Sequence, residues 1–136
     1  MQPLIATPAL RVLALVADVL NATHLEAGAR WEATANPLSR AAREDGRLER
    51  VILWKVLESE AAVWTLADFT SDTADAILEH LNAINDEAVT AWYSTGLEAY
   101  EEPRPAPPGE PYVAILARAE FWRLADTTAK LDGLRL

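Results

Sequence analysis

The sequence predicts an all-α fold: a compact bundle of about five helices, one of them long (about 71–101), with a Pro-rich linker before a C-terminal helix. Three observations carry this expectation. Apolar residues recur at spacings of three and four along 9–20 and 77–92, a threonine or asparagine followed by proline opens two segments, and the apolar stretch 48–69 has helical neighbours on both sides and no Gly, Asn or Pro at its one candidate turn. The 136 residues fit a single helical domain, 1–136, with the linker at 101–111 inside it. A 51% hydrophobic composition with five tryptophans demands a real core.

Thr7-Pro8 marks the first helix: threonine caps the start, and proline sits where its missing N–H costs nothing. From Ala9 to Leu20 the run is apolar nearly all round, with Arg11, Asp18 and Asn21 as a narrow wet stripe, so this helix is expected at the centre. No basic stretch precedes it and two charges interrupt it, which argues against a signal peptide or a membrane span.

Asn36-Pro37 repeats the start signal. If that helix passes through Gly46, Arg40, Arg43, Arg47 and Arg50 fall at spacings of three, four and three along one face. The apolar stretch 48–69 reads as a buried helix; a hairpin at about 50–69, which would make the fold α+β, is the alternative that its β-branched and aromatic content suggests. Thr70 and early acids open the long helix, whose apolar positions Ile77, Leu81, Ile84, Ala88 and Ala91 alternate in steps of four and three. A second face carries Asp72, Asp75, Glu79 and Asp86, while Trp92 widens the apolar stripe. The Pro-rich 101–111 ends that helix and spans about 25 Å if held as polyproline II. A terminal helix should follow, with an Asp126–Lys130 pair and Gly133 as its cap. No internal repeat is evident.

Charge is distributed unevenly. Residues 56–103 hold eleven carboxylates and no Lys or Arg, whereas the other ten acids face all twelve bases, so the net charge of −9 arises from this segment. That balance argues against nucleic acid or an anionic membrane as partner. The absence of Cys removes disulfides and thiolate chemistry and fits a cytoplasmic protein.

No catalytic constellation stands out. His24 and His80 lack a neighbouring nucleophile at helical spacing, and the serines sit in no nucleophile-elbow context. No catalytic residue, metal site or cofactor is assigned. The expected function is non-enzymatic protein–protein interaction or assembly through charge-complementary helices, with a homo-oligomer and an unidentified protein partner. Arg40, Arg43, Arg47 and Arg50 would form the basic side; Asp72, Asp75, Glu79 and Asp86, with Trp92, would form the acidic side. One alternative is an acidic mimic of nucleic acid that inhibits a basic partner protein. Another is a Mg²⁺-dependent hydrolase similar to the all-α nucleotide pyrophosphohydrolases, built on Asp72, Asp75 and Glu79. In type alone, such small acidic helical chains are similar to phage-encoded adaptors and inhibitors.

Overall fold

The computed structural model describes residues 7–23, 28–35, 37–58, 70–85, 90–108, 110 and 114–125. It is α+β, not an all-α bundle. The elements run α1 (Pro8–Thr23), β1 (Ala29–Thr34), α2 (Arg40–Glu44), β2 (Arg47–Leu57), α3 (Ser71–Ile84), β3 (Thr90–Arg104) and β4 (Ile115–Ala125). The strands form one antiparallel sheet in the order β1-β2-β4-β3.

The departures from the helical expectation have physical reasons. β2 lies between two neighbours with both faces covered, so Val51, Ile52, Leu53, Trp54, Lys55 and Val56 are all buried. A strand covered on both sides reads as a continuous apolar run and loses the alternation that distinguishes it from a helix. The alternative reading named the α+β class, and the first arm of its hairpin at about 50–69 falls in β2, whose two neighbours are β1 and β4; the second arm, 59–69, lies outside the described residues. The long helix stops at Ile84, and Thr90, Trp92, Tyr93 and Thr95 enter an edge strand instead. The helical spacing that reached Ala91 was carried across this break by alanine, which fits either period. The C-terminal segment forms β4, with Ala117, Ala119 and Phe121 on one face and Arg118, Glu120 and Trp122 on the other. The Asp126–Lys130 pair and Gly133 lie outside the described residues.

Helix starts were more legible. Thr7 Oγ1 accepts from the Leu10 N–H at 3.2 Å, and Thr70 Oγ1 accepts from the Thr73 N–H at 3.4 Å. The second helix begins later than expected, capped by Ser39, and ends at Asp45 because Gly46 takes φ +84° and turns the chain into β2. Among the described residues no helix is long and apolar enough to cross a membrane.

The fold is an internal repeat, which reverses the expectation of none. Residues 20–34 and 81–95 align without a gap and share seven of fifteen positions: Leu20/Leu81, Asn21/Asn82, Ala22/Ala83, Glu26/Glu87, Ala27/Ala88, Trp31/Trp92 and Thr34/Thr95. In three dimensions each half is a long helix followed by two strands, the first half adding the short α2 between its strands, and the halves meet at β2 and β4. Both halves use one device at the free edge of the sheet. The Asn21 amide accepts the Trp31 N–H at 2.7 Å and donates to its carbonyl at 2.9 Å; Asn82 does the same for Trp92 at 2.8 and 3.2 Å. The second strands share Arg-x-x-x-Trp, Arg50–Trp54 and Arg118–Trp122, and register places Arg50 opposite Trp122 and Trp54 opposite Arg118. A pseudo-two-fold axis therefore passes through the β2–β4 seam at the Ile52–Glu120 pair.

The main core lies between the sheet and the two long helices. Leu13, Ala17 and Leu20 from α1 and Ala74, Ile77 and Leu81 from α3 pack on Trp31, Val51, Leu53, Trp92 and Phe121. Each large side chain so buried contributes about 1.5–3 kcal/mol of transfer free energy. A smaller cluster of Ile52, Trp54, Val56 and Ile115 occupies the other face, covered by Tyr100 and Ala106.

Candidate functional site

The repeat generates two surfaces, one on each side of the sheet. On the helical side, α1 and α3 leave a groove of about 350 Å³ along the pseudo-two-fold axis, lined by Val12, Leu15, Val16, Ala76, Ile77 and His80. The lining itself is repeated: Val12, Leu15 and Val16 correspond to Thr73, Ala76 and Ile77, each 61 positions on. The two helices meet over the sheet, but their outermost apolar positions stay in solvent. Leu15 is 65% exposed and Val19 59%. Asp18, Asp72, Asp75 and Glu79 are exposed on the same two helices, against one arginine, Arg11.

The opposite side carries an arginine–tryptophan ladder across the seam. The guanidinium carbons of Arg47 and Arg50 lie 4.9 and 5.1 Å from the Trp122 ring centre, and Arg118 lies 5.7 Å from that of Trp54. Arg50 also pairs with Glu110 at 3.2 Å and Glu120 at 3.6 Å, and Arg118 with Glu98 at 2.9 Å. Tyr100 donates a 2.5 Å hydrogen bond to the same Glu98 oxygen. This bond and the Arg118 charge hold the Glu98 carboxyl below its ordinary range against the opposing effect of burial. Burial and the carboxylate acceptor push the Tyr100 hydroxyl up. The ladder borders a cleft of about 410 Å³ between the two strand connections, which Pro37 and Leu38 flank on one side and Pro107 and Glu110 on the other.

The residues expected to act together are dispersed. Arg40 and Arg43 lie on the short α2, Arg40 pairing with Glu44 at 3.2 Å, while Arg47 and Arg50 belong to β2 and contact Trp122. The continuous arginine helix is thus absent, because Gly46 divides it. Asp72, Asp75 and Glu79 do share the outer face of α3. Asp86 lies outside the described residues, and Trp92 is 4% exposed in the main core. His80 lines the helical groove; His24 lies outside the described residues. Among the described residues no three of His, Asp and Glu gather in a metal-binding arrangement. Sequence reasoning missed Leu15 and Val19 as surface residues and Trp122 as a cation-stacking platform. The Arg-x-x-x-Trp repeat was the available signal for the second.

Comparison with protein-family models, with curated proteins and with solved structures gave no match. The functional reading therefore rests on the geometry of these two surfaces.

Proposed function

We propose that the protein is a non-enzymatic binding module that takes an amphipathic, basic segment of another protein into the groove between α1 and α3. The supporting observation is the groove's composition: an apolar lining in which Leu15 stands exposed, on two helices whose solvent faces carry Asp18, Asp72, Asp75 and Glu79. Contiguous apolar surface of this kind on a small domain marks an interaction site, and the carboxylates on the outer faces of the same helices favour a partner with Lys or Arg flanking its apolar stripe. A second copy presents the same negative charge and is disfavoured as the occupant.

Isothermal titration with a synthetic amphipathic Leu/Lys helix tests this reading. Binding should weaken at least tenfold in a Val12→Ser, Leu15→Ser variant, and also with added salt, because the charges on the outer helix faces are screened. Equal affinity for a Leu/Glu peptide, or unchanged affinity in the variant, would remove the groove from consideration. Light scattering across the same salt series should find a monomer; a dimer at low ionic strength would assign the groove to a second copy instead.

A further inference from the structure

The two halves of the sheet's outer face are related by the pseudo-two-fold axis, yet among the described residues only one carries a packed apolar cluster with a cover. On the covered half, Ile52, Trp54, Val56 and Ile115 pack under Tyr100 and Ala106, and Trp54 is fully buried with its Nε1–H on Thr34 Oγ1 at 2.8 Å. The corresponding residues on the other half, 68 positions away in the second strands and 61 in the first, are Glu120, Trp122, Leu124, Arg47 and Thr95. Those five, with Tyr93, line an open hollow of about 330 Å³.

The chain explains why one half is open. β1 stops at Thr34, whereas β3 continues nine residues past the equivalent Thr95 to Arg104, and this longer excursion brings Tyr100 and Ala106 onto the Trp54 cluster. Among the described residues, Pro37 and Leu38 line only the neighbouring cleft, and the first half brings no counterpart of Tyr100 onto Trp122. Tyr93 is 45% exposed there, and among the described residues Arg47 makes no ion pair.

We propose that the hollow around Trp122 is a docking site for an extended, proline-containing segment of a partner protein, for which the chain's own connection is the template. That connection shows what the architecture accommodates: Ala106 on the apolar cluster, Pro107 and Pro108 beside the cleft, and Glu110 buried against Arg50. Proline-rich segments favour aromatic grooves because their backbone is already extended and little entropy is lost on binding. Trp122, Tyr93 and Leu124 supply such a surface, and Arg47 supplies a cation for an acid on the segment. The site is on the opposite side of the sheet from the helical groove and stands independently of its occupant.

The test uses the full chain and a synthetic peptide of residues 104–111, RPAPPGEP. In heteronuclear NMR, the Trp122 indole N–H and the Thr95 amide should shift on titration while the Trp54 indole does not. Trp122→Ala should weaken binding at least tenfold and Arg47→Ala about threefold. Trp122→Phe, which keeps an aromatic platform, should retain most of the affinity and shows that loss in the alanine variant is not loss of fold. Shifts at Trp54 without Trp122, or no shift at millimolar peptide, would overturn the proposal. So would Trp122 shifts that follow protein concentration without peptide, which would make the occupant a second copy.

Discussion

Asn21 and Asn82 each use one amide to join the last turn of a helix to the free edge of the sheet. Their donor and acceptor meet both backbone groups of a tryptophan, as a neighbouring strand would. Replacing either by alanine removes two hydrogen bonds and should cost about 1–3 kcal/mol, read from urea unfolding. The two losses should be of similar size, because the repeat makes the sites equivalent. The Glu98–Tyr100 pair makes a second residue-scale prediction. A carboxyl held below its ordinary value of 4.5 stabilises the fold above that pH, and the contribution is lost as pH falls through the folded value. A tyrosine raised above 10.0 stabilises below that pH, with loss as pH rises through its own folded value. The hydroxyl donates only while protonated, so the hydrogen bond is intact between the two limits. Tyr100→Phe should move the Glu98 titration up toward 4.5, measurable from its carboxyl carbon; an unmoved titration would assign the shift to Arg118 alone.

At the scale of the element, legibility followed how local the cause was. Thr7, Pro8 and Thr70 fix helix starts through bonds made within one turn, and those positions were readable. β2 and β4 are strands because of what covers them. Val51 to Val56 is buried by α1, β1 and β4 together, none of which is local in sequence. The candidate site divided in the same way: the α3 acids share a face as their spacing required, but the four arginines do not, because Gly46 adopts a conformation suited to glycine. Gly46 and Gly96 have φ of +84° and +92°. A Cβ at Gly46 would meet Ala125 Cβ at 3.6 Å, ordinary contact, and one at Gly96 would meet nothing within 4 Å. Strain and not crowding therefore sets the cost. Gly46→Ala and Gly96→Ala should each destabilise by about 1–2 kcal/mol, seen as a lower urea midpoint at unchanged slope.

For the whole molecule, the repeat matters more than any single element, and it was present in the sequence as fifteen aligned residues and two Arg-x-x-x-Trp strands. It escaped notice because the flanking positions diverged: Leu13 is matched by Ala74, and Ile52 by Glu120. That divergence has a measurable consequence. Trp54 and Trp122 are equivalent by symmetry, but the first is fully buried and hydrogen-bonded while the second is part-exposed between arginines. Trp54→Ala should cost about 3–5 kcal/mol through the cavity it leaves. Trp122→Ala should cost about 1–2 kcal/mol, on the scale of the lost cation–π contacts. Equal losses would mean that both halves of the outer face are covered alike.

Among the described residues the sheet ends on one side in β3, a fifteen-residue strand with no strand beyond it, and such an edge ordinarily recruits further strands from other molecules. Here Glu98, Glu101, Glu102 and Pro103 occupy its outer half. Three of the eleven carboxylates of 56–103 thus lie on this strand with Pro103, and charge and proline on an edge strand disfavour pairing with a second copy. Replacing Glu101 and Glu102 by valine should yield dye-binding aggregates on mild heating, under conditions where the parent chain stays clear. A variant that remained equally clear would shift that protective role to Pro103 and the turn at Gly96.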